Sequence, residues 1–255
     1  MIVDPVHTRR VTAGELPLAA LLDESLPSLE PGSVVAITSK VVALCEGRAV
    51  DPACVDKTRV IEEEADSYLP RSSNRYHVCL TIKRNVLIPS SGVDESNTGG
   101  LIVLWPGDPQ RAANDAWRHL AERFGARDLG VIVTDSTSAP LRMGVGGIVI
   151  AHAGFRAVND LVGTADLFGR PLAMTRSNVA AGLAAAAVTV MGEGAEQTPL
   201  AVIRDLPFVE FQGRVPTDEE LAELVIPPED DLYAPILQSA DWQRGGGGYT
   251  GLPRS

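Results

Sequence analysis

The stretch Gly130-Val131-Ile132-Val133 is an uninterrupted, largely β-branched run that ends abruptly in Thr134, Asp135 and Ser136. A run of that kind reads as a buried strand, and the Ser, Pro and Gly residues that continue to Gly147 read as a loop. Asp135 and Ser136 are therefore expected at the C-terminal end of a strand. Ligand sites of open α/β sheets favour that place, and a carboxylate beside hydroxyls supplies the hard oxygen donors that Mg²⁺ takes. Taken alone, the same residues also suit a turn in which Asp135 only caps backbone amides.

With 255 residues, 45% of them hydrophobic, the chain can bury a sizeable core as one large or two small domains. Its net charge of -11 argues against a nucleic-acid surface, which needs clustered Lys and Arg, and points to small-molecule partners. Cys45, Cys54 and Cys79 have neither metal-ligand spacing nor an even count, so neither a zinc site nor a disulfide framework is expected. The N-terminal MIVDPVHTRRV lacks an apolar signal core, and the apolar runs are too short to span a membrane. The expectation is a cytoplasmic protein with no membrane partner.

Leu18, Leu21, Leu22 and Leu26 have helical spacing, and Val34 to Ile37 reads as a strand that delivers Thr38, Ser39 and Lys40 at its end. Two hydroxyls and a lysine there suit phosphate binding, although no glycine-rich loop accompanies them. Glu62, Glu63 and Glu64 read as a solvated helical face. Val78 to Ile88, which passes Cys79 and Lys83, reads as one strand leading into the turn SSGVDESN, where Asp94 and Asn97 could serve a metal and a nucleotide. Leu101 to Leu104 reads as a short strand, and Arg111 to Phe124 as an amphipathic helix that reaches Gly130, which together suggest a local strand-helix-strand unit.

Val145 to Ala151 reads as a second buried strand followed by His152, whose isolation among small residues favours a structural role over a catalytic one. Gly163 to Thr175 is a turn region carrying Asp166 and Arg170. Asn178 caps an alanine-rich helix that ends near Met191 and leaves Glu193 between Gly192 and Gly194. A carboxylate at a helix C-terminus opposes the helix dipole, so a metal or a lysine is its natural partner. Leu200 to Ile203 reads as the final strand, Pro216 to Leu224 as a short capped helix, and the Gly245–Gly248 tail holds a shape only if it docks.

The segments ITSKVVALCEGR, GVDESN, WPGDP, VTDSTSAPLRMG, DLFGRPL and AAAAVTVMGEG occur in one order. In that order the chain resembles the coenzyme F420-0:L-glutamate ligase family, enzymes that add glutamate to a deazaflavin coenzyme. The resemblance covers roughly 11 to 210 and leaves 211 to 255 as a C-terminal extension with a short helix and the Gly-rich tail. It implies an α+β fold of two intertwined subdomains and a homodimer, where the residues by themselves support only mixed α/β. It also implies a GTP-dependent amide ligase. The F420-0 carboxylate would attack the terminal phosphate, divalent Mg²⁺ or Mn²⁺, with K⁺ a further candidate, would hold the acyl phosphate, and L-glutamate would displace phosphate.

Carried over residue by residue, Asp94 and Asp135 match the family's first-metal carboxylates. Ser136 stands where it has a hydroxyl ligand, usually Thr, and Glu193 where it commonly has Gln. Ser39, Lys40 and Asn97 match nucleotide-contacting positions, and Arg142 joins Asp94 and Asp135 as the catalytic set. The chain departs from the pattern at Leu44, where a second lysine is usual, at Ser138, Ala139 and Leu141, and at Ala181 and Gly182, where an Asp-Glu pair is lost. A relative with another carboxylate or amine, and a non-catalytic nucleotide- or coenzyme-binding protein, are the alternative expectations.

Overall fold

The computed structural model describes residues 1–252. The chain begins with β1 (Ile2–Val6), α1 (Leu18–Ser25), β2 (Ser33–Thr38), α2 (Ser39–Cys45), β3 (Ala49–Val50), α3 (Lys57–Glu64) and β4 (Ser67–Leu69). β5 (Leu80–Lys83), β6 (Val86–Pro89), β7 (Ile102–Val103), α4 (Pro109–Phe124), β8 (Leu129–Ser138) and β9 (Val145–Ala153) follow. It ends with β10 (Val158–Asp160), β11 (Arg176–Asn178), α5 (Val179–Met191), β12 (Leu200–Arg204), α6 (Asp218–Ala222), α7 (Ala234–Leu237) and β13 (Gln243–Arg244). The class is α+β, as expected.

The larger sheet has the order β1-β12-β2-β8-β9, with β2 and β8 parallel and the other pairs antiparallel. Side chains of β2 alternate between two cores. Val35 and Ile37 meet Leu22 of α1 and Trp117 and Leu120 of α4 on one face, while Val34 and Ala36 meet Ala180, Leu183 and Ala187 of α5 on the other. Helices on both faces explain why the run at Gly130 has no polar alternation. Asp108 starts α4 by accepting a hydrogen bond from Arg111 N at 3.1 Å, and Gly125 ends it in the left-handed region. The alanines of α5 let it lie so close that a Cβ on Gly147 of β9 would fall 2.4 Å from Ala184 O.

Several expectations change. β8 does not yield to a loop at Asp135 but continues to Ser138 in a hairpin with β9, and only its parallel neighbour β2 stops, at the Thr38–Thr134 pair. β7 pairs with β3 rather than β8, so no local strand-helix-strand unit forms, and the connection from β2 to β8 holds β4, β5 and β6 of a smaller sheet. Val78 to Ile88 is a hairpin, not one strand. It turns at Arg84 and Asn85, whose φ angles of 48° and 62° are the pair a tight two-residue turn requires. β12 is followed by a further strand, β13.

The smaller sheet, β13-β4-β5-β6, packs with α3 around Val60, Ile61, Cys79, Val93, Ile102 and Leu104. Glu64 is not on a solvated face: it is 1% exposed and paired with Arg48 at 2.8 Å and Lys83 at 3.0 Å. It also accepts from Tyr249 N at 2.9 Å. The glycine tail does dock. Gly246, Gly247 and Gly248 donate to the carbonyls of Glu62, Ala65 and Glu63, and a Cβ on Gly245 would fall 2.1 Å from Ala65 O.

Removing one partner of a buried ion pair leaves a charge without compensation. Glu64→Gln should therefore cost about 3–5 kcal/mol of unfolding free energy in urea denaturation, and a loss below about 1 kcal/mol would show Lys83 and Arg48 to be satisfied without it.

His152, in β9, is buried against Phe155, edge to face at 5.6 Å between ring centres. Burial lowers its pKa to about 4, against a small opposing effect of Glu220. The folded state thus stays neutral where the unfolded chain, titrating near 6.5, takes up a proton. Stability held above pH 6.5 falls as pH drops toward 4, by up to about 3 kcal/mol. His152→Gln should flatten that part of the stability-against-pH curve, measured by chemical denaturation, even if it lowers stability at pH 7.

Candidate active site

The site is built where β2 ends and β8 goes on. Thr38 caps α2 by accepting from Val41 N at 3.3 Å, which turns the chain away and sets Ser39 beside β8. Ser39 Oγ donates to Asp135 Oδ2 at 3.1 Å. One residue on, Lys40 Nζ reaches Asp94 Oδ2 at 2.7 Å and donates to Ser96 O at 2.9 Å and Ser96 Oγ at 3.1 Å.

The loop after β6 is shaped around Asp94. Its backbone bridges Val103 through two hydrogen bonds of 3.0 and 2.8 Å, and its Oδ1 accepts from the amides of Glu95 at 2.6 Å and Ser96 at 2.9 Å. Asn97 sits in the left-handed region, φ 57°, and its Nδ2 donates to Gly194 O at 2.7 Å. This ties the Asp94 loop to the turn after α5. From β8, Ser136 Oγ donates to Glu193 Oε1 at 2.6 Å across the same space. These residues line one cavity of about 680 Å³.

The two aspartates differ electrically. Burial alone would raise the Asp94 carboxyl, but hydrogen bonds from Lys40 and Ser96 and the Lys40 charge outweigh it and hold the pKa at about 2. Burial raises the Asp135 carboxyl above its ordinary value, opposed by hydrogen bonds from Ser136 N, Trp105 and Ser39 and by the more distant Lys40 charge. Asp135 is thus an acceptor served by neutral donors, and a cation in the cavity would relieve its burial. No group of three or more His, Cys, Asp or Glu among the described residues is arranged as a ready metal site. The carboxylates of Asp94, Asp135 and Glu193 with the Ser136 hydroxyl nevertheless line one cavity, and these hard oxygen donors fit Mg²⁺ or Mn²⁺.

The structure brings together Ser39, Lys40, Asp94, Asn97, Asp135, Ser136 and Glu193. It does not bring Arg142 to them: Arg142 is exposed in the loop between β8 and β9, bonding Leu141 O at 3.0 Å, and it is not among the cavity's lining residues. Sequence reasoning missed Trp105, whose indole N–H donates to Asp135 Oδ2, and Ser96, which bonds both Lys40 and Asp94. It also missed Arg9 and Arg10 at the cavity wall. The adjacent arginines carried a visible charge signal; Trp105 carried none, because a tryptophan before a proline turn reads only as core. Neither Cys45 nor Cys79 competes for the chemistry, since burial pushes both thiols up to about 11.

A cavity whose wall carries carboxylates, hydroxyls, Lys40, Arg9 and Arg10, set beyond the end of the parallel strand pair of an α+β fold, has the character of an enzyme site. The sequence model of the F420-0:Gamma-glutamyl ligase family matches residues 6–205, and the chain belongs to that family. The chain is 35% identical over 231 residues to "Coenzyme F420:L-glutamate ligase" of Methanopyrus kandleri, a match that spans 83% of this chain and 90% of the relative. With the proteins of the same name from Methanothermobacter thermautotrophicus and Methanocaldococcus jannaschii it shares 31% over 232 residues and 30% over 224. Those matches span 85% and 80% of this chain and 90% and 86% of the relatives.

If Lys40 holds Asp94 ionised against its burial, Lys40→Met should let the Asp94 carboxyl climb from about 2 to its ordinary range or above. Carboxyl ¹³C chemical shifts followed against pH would register the change, and an unmoved midpoint would assign the effect to Ser96 and the backbone amides.

Proposed function

We propose that the protein is a GTP- and divalent-metal-dependent ligase that joins L-glutamate to the F420-0 carboxylate. The observation that carries this reading is the convergence in one cavity of residues from four separated segments: Ser39 and Lys40, Asp94 and Asn97, Asp135 and Ser136, and Glu193. Phosphoryl transfer needs positioning and charge neutralisation more than a nucleophilic side chain, and this set supplies both.

In this reading the acceptor carboxylate oxygen attacks the γ-phosphorus of GTP, the bond to the β-phosphate oxygen breaks, and GDP leaves. The glutamate amine then attacks the acyl carbon of the acyl phosphate, phosphate departs, and a proton is lost as the amide forms. Lys40 serves as a mobile point charge for phosphate, and Ser39 and Asn97 place the nucleotide. Asp94, Asp135, Ser136 and Glu193 would hold the divalent metal, and K⁺ is a further candidate cofactor. Bound there, the metal supplies charge neutralisation for the transferred phosphoryl group.

The protein is further proposed to act as a cytoplasmic homodimer with small-molecule substrates. Leu141 and Met143, in the loop between β8 and β9, are 96% and 98% exposed, and Leu167, between β10 and β11, is 95% exposed. Apolar side chains that project this far favour a covering partner. No described helix is long and apolar enough to cross a membrane.

A second reading keeps the ligase chemistry with another carboxylate or amine. It is favoured by Leu44, an apolar side chain in the cavity wall where the family usually has lysine. Measuring GDP release with F420-0 and L-glutamate, then with a panel of other carboxylates and amino acids, separates the two. Asp94→Asn and Asp135→Asn should each lower turnover by at least about 100-fold, as expected when charge stabilisation of the transition state is removed. GDP release with no acceptor on the panel, or undiminished turnover in both variants, would sink the proposal.

A further inference from the structure

Trp105 is 1% exposed, and its indole N–H donates to Asp135 Oδ2, the oxygen that also accepts from Ser39. Asp135 Oδ1 accepts from Ser136 N at 2.7 Å, so both oxygens are engaged from the protein side. The same indole meets the loop that carries Asp94. Gly92, two residues before Asp94, lies so close to it that a Cβ there would fall 1.9 Å from Trp105 Nε1, and its φ of +70° also favours glycine. The carbonyl of Trp105 accepts from Arg48 Nε, which anchors the residue from behind. One rigid ring therefore touches the base of the Asp94 loop with its edge and the Asp135 carboxylate with its N–H.

We propose that Trp105 is a positioning residue that fixes the orientation of Asp135 and its placement relative to Asp94 for joint binding of a divalent cation. The inference rests on the reading that these two aspartates hold such a cation. An indole N–H suits the task because it donates, has no lone pair to compete for the metal, and carries no charge to repel it. A lysine in the same place would compete with the cation. Outer donors of this kind orient metal-binding carboxylates, and their loss typically costs about 10–100-fold in metal affinity.

The test is a Mn²⁺ titration followed by electron paramagnetic resonance in the presence of GDP. The proteins compared are wild type, Trp105→Phe, and a chain carrying 3-benzothienylalanine at 105, which keeps the bicyclic shape and lacks the N–H. The expected result is Mn²⁺ affinity lowered about 10–100-fold in both variants, with the isosteric chain still unfolding in a single cooperative transition. Wild-type affinity in either variant overturns the proposal, since the N–H would then be dispensable. Asp135→Asn separates the two levels of the argument. Retained Mn²⁺ binding in that variant, or no binding by the wild type, defeats the cation reading and this inference together. Loss in Asp135→Asn with wild-type affinity in Trp105→Phe defeats this inference alone.

Discussion

The parallel pairing of β2 with β8 is the constraint from which the site follows. The two strands run side by side from Ser33–Leu129 to Thr38–Thr134, and then only one of them continues. Because α2 begins where β2 stops, the edge of β8 beyond Thr134 loses a neighbour, and the cavity occupies that place with Asp135 and Ser136 on its wall. Extended backbone is stiffer than a loop, so two of the cavity's donors sit on a hairpin held through Ser138–Val145 rather than on a free turn.

A second constraint lies behind the cavity. Glu64 gathers Arg48, Lys83 and the Tyr249 amide into one buried group that joins α3, β5 and the C-terminal tail. Arg48 also donates to the carbonyl of Trp105, and Trp105 donates to Asp135. The contacts from the docked tail to the Asp135 carboxylate are therefore continuous, and each link involves a buried or half-buried polar group that is costly to leave unpaired. The glycines at 245–248 make this possible by letting the backbone lie directly on the carbonyls that end α3.

Much of the frame was legible in the sequence because its signals are local. The amphipathic helix ending at Phe124, the cap at Asn178, the alanine-rich helix α5 and the strand β2 appear as read, and β8 appears where the run at Gly130 placed it. What was misread depended on partners distant in the chain. Glu64 looked like solvated surface because a run of glutamates usually is, and nothing near it in sequence announces Lys83 and Tyr249. The hairpin at Arg84 and Asn85 was hidden because neither residue is glycine, although asparagine tolerates the positive φ found there. The strand was read as ending at Asp135 and Ser136 because the Ser, Pro and Gly residues after them signal a loop, whereas pairing with β9 keeps the chain extended to Ser138.

The sequence by itself determined the family, the α+β class and the identities of the polar groups, since each is written in short-range spacing or in single residues. Tertiary structure alone decided which of those groups meet. Lys40 pairs with Asp94 across 54 positions, Ser39 with Asp135 across 96, Asn97 with Gly194 across 97, and Ser136 with Glu193 across 57. It also left Arg142 outside the cavity and brought Trp105 behind its wall, against Asp135. The physical reason is that hydrogen bonds and ion pairs act over a few ångströms in space, and the chain path around two sheets, not the order of residues, sets those distances.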